Sequence, residues 1–456
     1  MPVRAFLTIA VLFAIISGTS IRLPPCKAQT PAASIDQAQK KKIFQTFAEM
    51  FFRGQCKDAY LMLSPLMQKA LTEERMPVVL KQLEMRFGTF QSVNNIRVNK
   101  SSIPGMSGIQ ALCQFSGSTA NLEALINDDG KISSFFVKAP TNFKEPPYAK
   151  HEQFTERDIE IPSAELRLKA TLSVPVANGP FPCVVLVHGS GPCDRDETVG
   201  SIKVFRDIAW GLASNGIAAL RYEKRTRQFP TKPINTVNDE TVDDAVAAIE
   251  CLKTQSAIDK TRLVVLGHSL GALMAPRIAQ REINLAGVVI CAGPTRKLED
   301  IIVCQIAYLD SLVGDTGESD NLKNVKEQAL KIKSLDRKDA LSNSNTLIGF
   351  KPSWWLDMQN YDPVKTAQTI NSPILIMQGD RDYQVNLEDF KGWQDGMKGR
   401  PGVTLKLYPG LAHTFTSAAD KPGPGDYDKP LNVAPSVIDD LSTWIKTLTP
   451  VAPVTP

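Results

Sequence analysis

One pentapeptide constrains this chain more than any other stretch: Gly267-His268-Ser269-Leu270-Gly271. The apolar run Leu263 to Leu266 precedes it and reads as a strand, and Ala272-Leu273-Met274-Ala275 follows it with helical character. A strand that becomes a helix within so few residues leaves no room for side chains two positions before and two after its central residue. That accounts for Gly267 and Gly271, and it lifts Ser269 to the helix N-terminus, the setting a serine nucleophile requires. A chain built around such a turn needs a sheet beneath it and helices over it.

The rest of the second half agrees. Cys183 to Val187, Ile217 to Leu220, Val288 to Cys291 and Ile374 to Met377 are short, nearly continuous apolar runs, each with a helical pattern nearby. Such strands suit a mostly parallel sheet covered by helices on both faces, an α/β architecture. Phe154 to Ile161 and Leu166 to Val174 read as a hairpin ahead of it, so the catalytic domain is placed at 150–450. A charged, helical-looking stretch at 294–363 interrupts the alternation and reads as a cap insertion over the sheet's C-terminal edge. Pro140 to Pro147 makes a stiff linker in front. Before it, Ile43, Phe44, Phe47, Met50 and Phe51 recur at helical spacing, and a second periodic stretch runs from Met76 to Phe87. Alternation takes over from Phe90 to Val137, with Asp129-Gly130 as a hairpin turn. Residues 40–140 therefore read as a small α+β domain, helices first and sheet second.

A serine hydroxyl attacks poorly unless a base takes its proton, and the chain has 4 histidines to offer. His151 lies in the linker, His188 ends a strand, and His268 adjoins Ser269 with its side chain directed elsewhere. His413 remains, after the strand-like Val403 to Tyr408 and before the final helix Val437 to Leu448, on the side of the sheet where ligands of open parallel sheets gather. The base needs an acid to hold its tautomer, and chain order places that acid between Ser269 and His413. Gly379-Asp380-Arg381-Asp382 follows a strand there; Asp382 has the reach, and Asp380 is the alternative. Acyl transfer also needs donors for an oxyanion. One is the backbone N–H of Leu270. The second is expected from His188-Gly189-Ser190-Gly191-Pro192, whose Gly189 and Gly191 admit a close backbone approach; Ser190 is the candidate, Gly189 the fallback, and His188 a brace for the loop.

Other features take plainer readings. Arg221, Lys224, Arg225 and Arg227 read as a solvated basic loop, Asp194-Arg195-Asp196 as a loop ion pair, and Trp354-Trp355 as core packing. There is no P-loop, dinucleotide fingerprint or Cys/His metal spacing, so neither cofactor nor metal is expected. Net charge is +4, and Arg4, Arg22 and Lys27 fall in an acid-free leader, leaving about +1 when those three are subtracted. Nucleic acid is not suggested as a partner. Arg4, the apolar run Ala5 to Ile16 and Cys26-Lys27-Ala28 predict a signal peptide over 1–28, cut after Ala28. A secreted or periplasmic protein without stable membrane insertion follows, with a membrane-anchored terminus or lipidation of Cys26 as the alternatives. Among the cysteines, Cys56 and Cys113 are the pair open to a disulfide.

Taken together, these motifs resemble the α/β-hydrolase superfamily, and more narrowly bacterial secreted carboxylesterases whose oxyanion loop reads HGSGPxDRD and whose acid loop reads GDRDxxV. They stand here as His188 to Asp196 and Gly379 to Val385. Cys193 is a departure within the first loop, open to oxidation. The resemblance implies hydrolysis of short acyl esters through a serine-bound acyl intermediate, with a small acyl ester as the substrate. Residues 40–140 are similar to the cystatin-like or nuclear-transport-factor-like domains that precede hydrolase domains in some bacterial secreted proteins, which leaves contact with an envelope component or polymer open. A thioesterase, a serine aminopeptidase-like hydrolase and a non-catalytic binding module are the other readings.

Overall fold

The computed structural model describes residues 35–101, 103–313, 318–342 and 345–451. The leader at 1–28, its cleavage point and Cys26 lie outside them. The chain divides into two compact units. One runs to Thr141 and takes in Leu309–Thr316; the other comprises Asn142–Tyr308 and the chain from Gly317. The sequence pattern alone places Leu309–Thr316 in the cap insertion.

In the first unit, Asp36 caps the helix Gln37–Phe52 by accepting the Gln39 N–H at 2.7 Å, while the Gln39 side chain accepts the Asp36 N–H at 3.0 Å. Phe44, Phe47, Phe51 and Phe52 of this helix are buried with the inner face of an antiparallel meander, β1 (Phe90–Lys100), β2 (Met106–Phe115), β3 (Thr119–Asn127) and β4 (Ile132–Lys138). Phe47 meets Phe135 edge-on at 5.1 Å and Phe52 stacks on Phe90 at 4.9 Å. Each such ring contributes roughly 1.5–3 kcal/mol by leaving water. Gly130 turns β3 into β4 at φ 79°. The helix Met76–Phe87 follows its periodic stretch, whereas the helices Cys56–Leu61 and Pro65–Ala70 span too few turns to show a period. Cys56 and Cys113 are buried in this core as free thiols, so the disulfide is not formed. Burial pushes the Cys113 thiol up to about 12, and it packs as a small hydrophobe.

The second unit contains β5 (Phe154–Ser163), β6 (Leu166–Pro175), β7 (Phe181–Val187), a two-strand ribbon of β8 (Thr198–Val199) and β9 (Ile202–Lys203), β10 (Ala218–Tyr222), β11 (Ile258–His268), β12 (Gly287–Cys291), β13 (Ile374–Gly379) and β14 (Val403–Tyr408). Apart from the ribbon they form one sheet in the order β5-β6-β10-β7-β11-β12-β13-β14, with β6 antiparallel to its neighbours and the other pairings parallel. β7 explains the continuous apolar runs. Cys183, Val185 and Val187 pack into a core with Leu273 and Ile290 on one face, and Val184 and Leu186 pack with Phe205, Leu212 and Ile438 on the other. The chain leaves β7 for β10 on one side and returns to β11 on the other, a switch of direction that opens a crevice at the strands' carboxyl ends.

Between β12 and β13 lie the helices Leu298–Val313, Asp320–Lys333, Arg337–Ser342, Pro352–Gln359 and Pro363–Thr369. Trp354 and Trp355 are fully buried core residues. Trp354 stacks on Phe350 at 4.1 Å, and the Trp355 indole N–H donates to the Leu347 carbonyl at 2.7 Å.

Asp207 is buried on the helix Val204–Ser214. Its Oδ2 accepts the Val433 N–H at 3.0 Å and the Asn432 Nδ2 at 3.1 Å, and its Oδ1 has no hydrogen-bond partner among the described residues. Burial outweighs these bonds and pushes the carboxyl up to about 7. The folded chain then keeps a proton that the unfolded chain releases near about 3.9. On this account stability falls as pH rises from about 4 to about 7. Asp207→Asn retains the acceptor for Val433, so it should flatten this slope in melting temperatures taken across that range. A parent-like slope in the variant would remove Asp207 as its source.

Candidate active site

β11 ends at His268 and the helix Leu270–Arg281 starts at Leu270, so Ser269 alone makes the turn. It sits at φ 55°, ψ −115°, a region that residues with side chains seldom occupy, and it is held there by its neighbours. The Ser269 N–H donates to the Cys291 carbonyl at 3.0 Å and the Leu273 N–H donates to the Ser269 carbonyl at 2.9 Å. A Cβ at Gly267 would overlap the Gly271 carbonyl, and one at Gly271 would overlap the carbonyls of Val187 and His188.

β13 and the loop after β14 bring Asp382 and His413 together, both buried. His413 Nδ1 lies 2.7 Å from Asp382 Oδ2, which directs Nε2 away from the carboxylate. The Gln378 Nε2 donates to the same oxygen at 3.0 Å, and Oδ1 accepts the N–H groups of Gln384 at 2.8 Å and Val385 at 2.9 Å. Four partners satisfy this buried carboxylate. Asp380 is used elsewhere, where its Oδ1 accepts the Gly410 N–H at 2.7 Å. His268 joins this loop to the serine turn: its Nε2 donates to the His413 carbonyl at 2.9 Å, and the two rings lie 4.7 Å apart.

The loop after β7 closes on the same turn. A Cβ at Gly189 would stand 3.2 Å from the Ser269 Cβ, so only glycine lets the loop come this close without displacing it. The Gly189 N–H donates to Glu197 Oε1 at 2.6 Å, which commits it and removes it as a free donor. The N–H groups of Ser190 and Leu270 have no acceptor among the described residues. Glu197, buried at φ 47°, also places Oε2 3.1 Å from His268 Nδ1. Burial opposes charge on both, yet their attraction prevails, raising the His268 pKa and lowering that of Glu197. Burial pushes His188 down to about 4, so its ring is neutral near pH 7. Its Nε2 donates to the Asp194 carbonyl at 3.0 Å, and the ring lies against Phe205 and Tyr222.

The basic cluster is not a solvated loop. Lys224 is 2% exposed, with Nζ 2.8 Å from the Gly189 carbonyl and 2.6 Å from Glu240 Oε1. Arg221 is buried between Asp196 and Glu156, and Arg225 pairs with Asp244 at 2.5 Å; Arg227 alone of the four stays mostly exposed. Nor do Asp194, Arg195 and Asp196 pair with one another: Arg195 reaches Asp158 at 2.8 Å and Glu223 at 3.1 Å, and Asp196 reaches Lys203 at 2.9 Å, Arg206 and Arg221. The acids that bury these cations stand on other elements, which local composition does not reveal. For the same reason local composition singles out neither Glu197 nor Glu240. Burial also pushes the Cys193 thiol up to about 12, which suppresses the thiolate that oxidation needs. Among the described residues no three His, Cys, Asp or Glu side chains are grouped to hold a metal ion.

Gly271→Ala should destabilise the protein by about 1–3 kcal/mol or more, since the carbonyls it meets are backbone and cannot step aside. Urea unfolding checks this; an unchanged midpoint would mean that the contact with β7 is looser than described.

A family model described as serine aminopeptidase, S33, matches residues 180–419, and one described as a protein of unknown function, DUF3887, matches residues 45–135. The esterase EstD of Thermotoga maritima is 37% identical over 329 residues, covering 71% of this chain and 76% of its own. Among solved structures, the Pyrococcus furiosus esterase Pf2001 shares 18% identity at a TM-score of 0.43, covering 69% of this chain and 98% of that one. Est1E of Butyrivibrio proteoclasticus with ferulic acid bound shares 16% at a TM-score of 0.43, covering 64% and 98%. With its sheet order, its serine turn, the family match over residues 180–419 and the 37% identity to EstD, the chain belongs to the serine aminopeptidase, S33, family of α/β-hydrolases and is an enzyme of the hydrolase class.

Proposed function

We propose that the protein is a carboxylesterase that cleaves short acyl esters through a serine-bound acyl intermediate. The observation that carries this reading is the buried His413–Asp382 pair at 2.7 Å, in a loop hydrogen-bonded to the residue that precedes Ser269. Ser269 Oγ attacks the ester carbonyl as His413 Nε2 takes its proton. Collapse of the tetrahedral intermediate expels the alcohol, which leaves with that proton, and water then repeats the sequence on the acyl-serine. Asp382 holds the His413 tautomer and offsets the charge that forms on it. The uncommitted N–H groups of Ser190 and Leu270 receive the oxyanion. Membership beside a named esterase supports the ester as the bond attacked.

The family description favours one further reading, cleavage of aminoacyl amides by the same groups. Export, directed by the leader at 1–28, and contact of the 40–140 domain with an envelope component or polymer belong to the same proposal. N-terminal sequencing of the mature protein checks the first, expecting a start at Gln29.

Initial rates on p-nitrophenyl esters from acetate to palmitate, with aminoacyl anilides beside them, test the chemistry. Short esters should turn over fastest. Ser269→Ala and His413→Ala should each lose roughly 10³-fold or more in kcat, and Asp382→Asn a comparable amount, while Asp380→Asn stays close to the parent. Turnover that survives in Ser269→Ala would end the nucleophile assignment. A rate maximum at long chains or on anilides would end the short-ester reading.

A further inference from the structure

We propose that Lys224 is a positioning residue for the oxyanion, acting through the peptide unit that joins Gly189 to Ser190. The inference rests on the reading of the Ser190 N–H as an oxyanion donor. The Gly189 carbonyl and the Ser190 N–H belong to one planar trans peptide, so they point in opposite directions, and whatever fixes the carbonyl aims the N–H. Lys224 Nζ lies 2.8 Å from that carbonyl. Its position is itself fixed, because Glu240 Oε1 stands 2.6 Å away and Glu240 Oε2 accepts the Trp354 indole N–H at 2.9 Å. The preceding peptide is anchored from the other side, where the Gly189 N–H donates to Glu197 Oε1 at 2.6 Å. Gly189 is thus held between a buried cation on its carbonyl and a buried anion on its N–H.

Orientation is one consequence and polarisation is the other. A cation on a peptide carbonyl draws electron density toward oxygen, and the N–H of the same unit becomes a stronger donor. The gain matters when negative charge appears on the substrate oxygen, which happens in the transition state and not in the bound ester, so the effect falls on kcat more than on KM. A buried lysine–glutamate pair is a weak source of stability, since desolvation consumes much of the attraction. Holding a donor in place gives this pair a use that stability does not.

The test uses the full chain. Lys224→Met alone would strand Glu240, so Lys224→Met/Glu240→Gln removes both charges together, and Lys224→Gln/Glu240→Gln does the same while keeping a neutral donor for the Gly189 carbonyl. Each is assayed for folding by melting temperature, for kcat and KM on p-nitrophenyl acetate, and for inhibition by a short alkyl trifluoromethyl ketone, whose hemiketal with Ser269 carries an oxyanion. Lys224→Met/Glu240→Gln should lose about 10- to 100-fold in kcat with KM changed less than about threefold, and inhibitor affinity should weaken by a similar factor. Lys224→Gln/Glu240→Gln should fall between Lys224→Met/Glu240→Gln and the parent. Parent-like kcat in either folded variant, or a kcat loss with unchanged inhibitor affinity, overturns the proposal. Failure of the underlying reading looks different: Ser269→Ala would retain turnover, and the ketone would not inhibit the parent.

Discussion

The approach of Gly271 to the carbonyls of Val187 and His188 is the contact on which the site depends. It draws the N-terminus of the helix Leu270–Arg281 onto the end of β7, and with it Ser269 onto the loop that β7 feeds. Two neighbouring parallel strands, β7 and β11, thereby deliver a side chain and a backbone loop to one point. The hydrophobic faces of the sheet make this rigid, since every residue of β7 is buried and a shift of either strand would expose apolar surface or open a void.

Around that contact the structure buries charge, and it does so in pairs. Glu197 faces His268 and the Gly189 N–H, Lys224 faces Glu240 and the Gly189 carbonyl, and Asp382 faces His413 and three further donors. An isolated charge at any of these places would be costly. Partnered, each charge fixes a loop that has little secondary structure of its own. The loops after β7, β10, β13 and β14 are therefore held by directional bonds, while the sheet below them is held by non-directional packing. This division suits an enzyme, because chemistry requires orientation and stability requires mainly the removal of apolar area from water.

The first unit reaches stability by another route. Its core is dominated by phenylalanines from the helix Gln37–Phe52 and the facing strands, and Lys40 is buried against Asp128 at 2.8 Å.

Much of this was legible in the amino-acid order. The glycine-bounded turn at Ser269, the double-sided apolar runs and the helix periods over Phe44 to Phe51 and Met76 to Phe87 are local patterns, and local sterics and periodicity write them directly into neighbouring residues. Asp380 and Asp382 were both open by position, and the fold sends one to Gly410 and the other to His413. The brace of Glu197, Lys224 and Glu240 was not legible, because its members come from different elements: Lys224 meets Gly189 across 35 residues of chain, and Glu240 reaches it only through Lys224. Lysine among arginines reads as solvated until a partner acid is known to be within reach. Local order therefore determined the sheet, the turn and the candidate chemistry. Tertiary structure decided which charges leave water, because that depends on a partner's distance in space and not on its distance in sequence.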